Sequence, residues 1–378
     1  MRGLLTLAYK LLVTDRLKFA TLVSGIAFAV FLLVFVTSAL IGELRYSASM
    51  VTNIGASVWV MDAGSLDGNA AVGMPDYALD AVRSMSGVKY AVPLYSGGGL
   101  VKLSNGRYQA VTVIGLDETS LLGRPKMLKG KIQDIYTTNS FIAIDDSAFS
   151  KLGNPHIGAT FELNDHRGVI VGIARVPLSG LRGVPTLYTT YYRALQYVPN
   201  PRYTISYILV EPKSVRDVPR IERQVRALGY LALSKDEFRQ ALSTSFLYRT
   251  DAGVNIGLIT VFSVIIGLTV SGLIFYTFVL ENRERFGALK AIGTTGRELT
   301  GMILFQAGLA SFTGYGLGVG ACTAIIGLAK LTLPEFPPTE AYANLGLALL
   351  VSLVIAAVSG YIGIRAVLRI EPFDVFRG

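Results

Sequence analysis

Four stretches of the chain contain no Asp, Glu, Lys or Arg: Phe19 to Gly42, Ala252 to Leu280, Leu299 to Ala329 and Ala341 to Ile364, of 24, 29, 31 and 24 residues. Each exceeds the ~20 apolar residues that cross hydrocarbon as a helix. A helix is the cheap way across, because it satisfies its own backbone groups where water is absent. The sequence therefore predicts an α-helical membrane protein with four transmembrane helices, at 19–42, 252–280, 299–329 and 341–364. Composition points the same way: 51% of the 378 residues are hydrophobic and 16% charged, which excludes a disordered or collagen-like chain. The first stretch is about twice the length of a signal-peptide apolar region and no Ala-x-Ala site follows it, so it is expected to stay as an anchor.

The charges between these stretches set the expected orientation. Residues 1–18 hold Arg2, Lys10, Arg16 and Lys18; residues 281–298 hold Arg283, Arg285, Lys290 and Arg297; the tail, 365–378, adds Arg365, Arg369 and Arg377. Residues 331–340 contain no Lys or Arg. The positive-inside rule then places both termini and 281–298 in the cytoplasm, with 43–251 and the short loop 330–340 outside. The net charge of +9 is a membrane-topology signal and requires no nucleic acid.

The outer segment, 209 residues from Glu43 to Asp251, is long enough to be a domain inserted between helices 1 and 2. Strand patterns occur at 57–61, 88–94, 141–144, 160–163, 169–174 and 205–210. Asn105-Gly106 sits between two apolar-rich arms as a hairpin signal. Helices are expected from Pro75 and from Ser214, the latter with Val215, Val218, Ile221, Val225 and Leu228 on one face. The pattern predicts a large α+β extracytoplasmic domain of two lobes, a discontinuous α+β lobe carrying an inserted, mostly β one. Tyr95-Ser96-Gly97-Gly98-Gly99 reads as a turn.

No constellation for catalysis stands out. His156 and His166 lie ten residues apart with no cysteine near them, which is not a metal spacing. Asp145-Asp146 is expected to open a short helix. Cys322 is the single cysteine, so there is neither a disulfide framework nor a thiolate cluster. No Gly-x-x-x-x-Gly-Lys-Ser/Thr run is present to cradle ATP phosphates, and the spans lack the ionisable residues that mark an ion pathway. Asn255, Gln306 and Asn344 read as helix-packing or interfacial groups. The chain is expected to be no enzyme, with no catalytic, cofactor-binding or metal residues of its own.

Three features remain. Gly314, Gly316, Gly318 and Gly320 recur four apart in two pairs, a spacing that lets helix backbones approach; packing within the chain and a seam with a second copy both fit. Before the first span, Leu4, Leu5, Ala8, Leu11 and Leu12 share a helical face opposite Lys10, Arg16 and Lys18, as in an interfacial amphipathic helix against membrane lipid. In the middle loop Phe286, Leu289 and Ile292 recur at i, i+3, i+6 beside charged residues, and Gly293 offers a left-handed stop. A short helix so placed can fit a groove on a cytoplasmic partner.

At this loop, Arg283-Glu284-Arg285-Phe286-Gly287-Ala288-Leu289-Lys290-Ala291-Ile292-Gly293, the chain resembles the FtsX/MacB-type, or type VII, ABC transporter permeases, with Phe286 where Ile is more usual. The tail from Ala366 to Phe376, with Pro372, resembles the family ending, and the order of one span, a large external domain and three spans matches throughout. Asp15 to Ala20 and Gly25 to Val30 are similar to the DevC-like subgroup.

What the resemblance implies is mechanotransmission in a bacterial inner membrane. ATP and Mg would be bound by a partner ABC ATPase subunit. A second permease copy, or a close paralogue, would complete a dimer, and a periplasmic adaptor would assist export of an amphiphile such as a glycolipid, drug, peptide or lipoprotein. By matching positions Arg283, Glu284, Arg285, Phe286, Gly287, Leu289, Lys290, Ala291, Ile292 and Gly293 would couple to the ATPase subunit. The alternatives are an FtsX-like, non-transporting activator of a cell-wall hydrolase and a membrane receptor or sensor.

Overall fold

The computed structural model describes residues 2–14, 16–66, 71–103, 105–178, 183–198, 204–332 and 342–368. It divides into two compact units, residues 1–42 with 255–378, and residues 43–254.

The first unit is helical: α1 (Arg2–Thr14), α2 (Arg16–Ser47), α8 (Asp251–Glu281), α9 (Arg283–Ala291), α10 (Gly296–Thr332) and α11 (Tyr342–Leu368). Among the described residues three helices, over Phe19–Ser47, Asp251–Glu281 and Gly296–Leu331, are long and apolar enough to cross a membrane, and α11 carries a shorter apolar stretch, Asn344–Val358. Leu22, Ile26 and Val30 of α2 form one core with Phe278 and Val279 of α8, Met302, Ile303 and Ala307 of α10 and Ala348 of α11. Polar side chains bond across this interior. Ser311 Oγ donates to Ser352 O at 2.6 Å, Tyr315 Oη to Leu345 O at 3.2 Å, and Asn344 Nδ2 to Ser38 Oγ at 3.1 Å. Such bonds are worth about 0.6–2 kcal/mol each in a membrane bundle.

The second unit is built on strands. In chain order these are β1 (Val58–Met61), β2 (Val88–Lys102), β3 (Tyr108–Leu116), β4 (Lys126–Lys129), β5 (Ser140–Ile144), β6 (Thr160–Leu163), β7 (His166–Arg175), β8 (Thr186–Thr190), β9 (Tyr207–Pro212) and β10 (Leu231–Ser234). They run in the order β10-β1-β9-β2-β3-β8-β5-β7-β4, with β6 against β2 and β7. Neighbours are antiparallel except β3 with β8 and β5 with β7.

Strand β1 is buried on both faces, which its unbroken apolar run requires. Val58 and Val60 share a core with Val82 of α4 (Asp76–Arg83) and Ile221 and Val225 of α6 (Val218–Ala227). Trp59 and Met61 meet Val51 and Ile54 of α3 (Ser49–Ile54) and Phe238 of α7 (Lys235–Arg249). The Trp59 ring lies 5.3 Å from Phe238 and 5.5 Å from Tyr207.

Strand β2 explains how the two ends of the segment and its middle are joined. Its first half pairs with β9 and its second half with β3, so the core around Val58 and Ile208 runs on to Phe141 and Leu187. The expected turn at Tyr95 to Gly99 lies inside this strand. Its glycines serve close packing: a side chain at Gly99 would strike Leu163, and one at Gly97 the Tyr95 ring. The hairpin follows at Leu103–Arg107, where Leu103 N donates to Arg107 O at 2.8 Å and Gly106 adopts φ +78°.

Candidate functional site

The segment between α8 and α10 is built by a short set of local devices. Asn282 is buried, and its Nδ2 donates to Phe278 O at 2.8 Å while its Oδ1 accepts from Arg285 Nη1 at 3.1 Å. One amide thus ends α8 and fixes the start of α9. At the other end Gly293 takes φ +103°, its N–H donates to Lys290 O and that of Thr294 donates to Leu289 O, both at 3.1 Å. This double closure is the Schellman stop, and glycine meets its left-handed requirement without strain. Thr295 and Glu298 then open α10 reciprocally: Thr295 N and Oγ1 donate to Glu298 Oε2 at 2.9 and 2.8 Å, a capping box.

The residues expected to couple fall into two sets. Phe286 is 1% exposed, belongs to the core of the helical unit, and has Leu289 partly buried beside it. Gly287 is buried and Lys290 half-buried. Glu284, Arg285, Ala291 and Gly293 are exposed, as is Ile292, at 84%. The side chain of Arg283 lies outside the described residues.

The expected single apolar face of Phe286, Leu289 and Ile292 is therefore split. At 3.6 residues per turn each three-residue step falls about 60° short, so Ile292 lies about 120° around the axis from Phe286. The first two anchor α9 to the bundle, and the third projects from it.

Helix α1 packs on α10. Ala8 and Leu12 are fully buried, and Gln306 Nε2 donates to Ala8 O at 2.9 Å, while Lys10 is exposed. The side chains of Leu4, Leu5 and Lys18 lie outside the described residues. The four glycines of α10 separate into pairs. A Cβ at Gly314 would strike Ile26 and one at Gly318 would strike Val30, whereas those at Gly316 and Gly320 would meet open space. The first pair seats α2; the second faces outward.

Among the described residues no group of His, Cys, Asp or Glu is arranged to hold a metal ion. His166 packs against Tyr197, ring centroids 5.3 Å apart, and Asp146 Oδ1 accepts from Ala148 N at 2.9 Å at the head of a single helical turn.

Two features there escaped sequence reasoning. Arg193, on α5 (Tyr191–Tyr197), donates to Ile135 O, Thr137 O and Ser140 O, and to the hydroxyls of Ser140 and Thr189, at 2.6–3.2 Å. Burial pulls its pKa below the usual value, with Tyr197 and Glu118 acting in the opposite direction. Glu222 and Glu237 face each other from α6 and α7. Burial, then the neighbouring Glu237 charge, pushes Glu222 up; the Ser234 hydroxyl and then its N–H hold Glu237 down. Neither contact has a sequence signature, since each joins residues that only the sheet brings together.

Comparison with known proteins fits this division. The MacB-like periplasmic core domain model matches residues 19–228, and the FtsX-like permease C-terminal model matches residues 257–372. An uncharacterized ABC transporter permease, found in two strains of Mycobacterium tuberculosis, is 27% identical over 376 residues, covering 96% of each chain. The macrolide export ATP-binding/permease protein MacB of Campylobacter fetus subsp. fetus is 24% identical over 303 residues, 76% of this chain and 46% of that protein.

Among solved structures, the periplasmic region of MacB from Actinobacillus actinomycetemcomitans matches 50% of this chain and 92% of its own, at 14% identity and a TM-score of 0.38. The extracellular domain of the transporter YknZ from Gram-positive bacteria matches 47% and 99%, at 11% identity and a TM-score of 0.36. With a periplasmic-core match over residues 19–228 and a permease match over 257–372, the chain belongs to the FtsX/MacB-type ABC transporter permeases.

Proposed function

We propose that this chain is the membrane subunit of a mechanotransmission exporter, in which ATP hydrolysis by a separate ABC ATPase subunit moves the segment 43–251 to export an amphiphilic substrate. The observation that carries the reading is α9. It is pinned to the bundle through Phe286 and Asn282 and shows Glu284, Arg285, Ala291, Ile292 and Gly293 to solvent. A helix gripped on one side and free on the other passes a push from a bound partner into α8, one residue away. The coupling set accordingly divides in role. Phe286, Gly287 and Leu289 hold the helix; Glu284, Arg285, Lys290, Ala291, Ile292 and Gly293, with Arg283, form the docking side.

The remaining parts of the reading are four spans with α11 as the fourth, both termini cytoplasmic, and placement in a bacterial inner membrane. A second permease copy and a periplasmic adaptor complete the assembly, with a DevC-like subgroup suggested by Asp15 to Ala20 and Gly25 to Val30. ATP and Mg stay with the partner. The charge distribution supports the orientation, and the outward pair Gly316 and Gly320 suits a second helix.

The test is purification of the tagged chain from its native membrane in mild detergent, with identification of what arrives and an ATPase assay of the complex. An ABC ATPase whose activity falls at least tenfold with Lys290→Glu, without loss of the inserted chain, is the expected result. Arrival of a cell-wall hydrolase in place of an adaptor would move the reading to the activator. A chain that arrives alone and is active alone would end it.

A further inference from the structure

Helices α7 and α8 meet at a single residue. Helix α7 ends at Arg249 and α8 starts at Asp251, so Thr250 alone stands between them, in extended backbone. Its hydroxyl serves both sides. Thr250 Oγ1 donates to Phe246 O of α7 at 2.6 Å and accepts from Gly253 N of α8 at 3.1 Å, while Thr250 O accepts from Val254 N at 3.1 Å. One side chain thus satisfies a carbonyl left over at the end of α7 and an N–H left over at the start of α8.

Gly253 makes the joint close. A Cβ there would overlap Phe246 O and lie 2.8 Å from Leu247 Cα. Both are backbone atoms in the last turn of α7, so no rotamer change makes room. The contact is confined to the first turn of α8: at Gly257, one turn further on, a Cβ would meet nothing within 4 Å.

Helix α7 is itself fastened along its length to the unit of residues 43–254. Ser234 and Glu237 open it with a capping box, Ser234 Oγ donating to Glu237 Oε2 at 2.6 Å. Phe238 is fully buried with its ring 5.3 Å from Trp59 of β1, Leu242 packs on the same apolar cluster, and the Ser245 hydroxyl donates to Leu66 O. Phe246, whose carbonyl meets the joint, is buried as well. These attachments recur turn by turn, so the end of α7 cannot swing without disturbing the core around Trp59.

We propose that Thr250 and Gly253 are positioning residues that make this junction a rigid elbow, through which displacement of α8 reaches α7 and the sheet around Trp59 without a hinge. Connections between packed helices commonly run to about 2–8 residues; here one residue serves, with its hydroxyl committed on both sides. This rests on the reading that a partner ATPase drives α8, and adds where that drive enters the segment 43–251 and which residues keep it from being lost.

The test uses the full chain in nanodiscs with Cys322→Ser, labelled copies diluted with unlabelled ones, and distances read by pulsed electron paramagnetic resonance. Spin labels at Asp236→Cys and Val254→Cys, both exposed, span the joint. One narrow distance is expected, kept by Thr250→Ser and at least doubled in width by Thr250→Val and by Gly253→Val. Thr250→Val keeps the shape and loses only the hydroxyl, so the test stays valid should Gly253→Val misfold. A second pair, Asn105→Cys with Leu328→Cys, also at exposed positions, is read in the complex with its co-purified ATPase. ATP with vanadate should shift that distance in the parent chain and in Thr250→Ser, and by less than half as much in Thr250→Val.

A broad or multi-peaked distance across the joint in the parent chain, a width that neither Thr250→Val nor Gly253→Val changes, or Thr250→Ser behaving as Thr250→Val would overturn the elbow. So would a nucleotide-driven shift that Thr250→Val leaves at full size, and in that case the exporter reading stands. A parent chain that arrives without an ATPase, or whose ATPase works and produces no shift, removes the exporter reading and the elbow's role together.

Discussion

Arg193 fastens α5 to the stretch from Ile135 to Ser140 through four acceptors and to Thr189 of β8 through a fifth, none of them a carboxylate. Replacing it with Met keeps the bulk of the stem and removes these donors; Ser140 O keeps the Thr189 hydroxyl, while the one Ser140 hydroxyl proton can serve only one of Ile135 O and Thr137 O. The expected cost is about 1–3 kcal/mol of the stability of the unit formed by residues 43–254. Earlier thermal loss of the near-UV signal of Trp59 would report it, and an unchanged transition would mean that water replaces the guanidinium freely. Glu222 gives a pH-dependent prediction. Its folded pKa is raised, so its ionisation costs stability above that pKa, and the cost disappears once pH falls below the ordinary carboxylate value, where both states are protonated. Glu222→Gln should therefore slow amide exchange in α6 and the first turn of α7 at pH 7 and have no effect at pH 4. Glu237 works in the opposite sense, its contribution fading as pH falls through its lowered pKa.

Helix α10 offers a contrast within a single turn. A side chain at Gly318 would strike Ala27 and Val30 of α2, whereas one at Gly316 would begin in open space. Gly318→Leu should cost about 1–3 kcal/mol or more through overpacking and lower the midpoint of detergent-solubilised chain. Gly316→Leu should leave that midpoint alone and, where a second copy packs there, abolish cross-linked dimers; cross-linking that survives would remove the seam. The spacing of four was readable from residues alone, but which pair faces inward depends on where α2 lies, which no local pattern encodes. The same limit applies to α9. Gly293 announced the stop because a left-handed residue is a local requirement, while the burial of Phe286 and exposure of Ile292 depend on the neighbouring helices. At Gly97 to Gly99 the local reading pointed to a turn, whereas closeness of Gly99 to Leu163, far off in sequence, and of Gly97 to the Tyr95 ring on the same strand supplied another reason for glycine.

For the whole molecule, charge-free length was legible because hydrocarbon imposes it directly, and strands such as β1, β5 and β9 because a strand covered on both faces is an apolar run. The order of strands was not, since pairing partners lie far apart in sequence. With Cys322 replaced by Ser, Asn105→Cys should react with an impermeant thiol reagent added outside intact cells and Arg297→Cys should not; the reverse result would invert the proposed orientation. Strand β1 lies between β9 and β10, with Val58 opposite both Val210 and Ser234, so its partners are made long after it. At about 5–20 residues per second, the 177 residues from Val58 to Ser234 take roughly 9–35 seconds to synthesise. Until β9 has been made, Val58, Trp59, Val60 and Met61 form an apolar strand with both edges open, and one edge stays open until β10 follows. Shielding of that one tetrapeptide during synthesis is a demand the finished protein no longer shows.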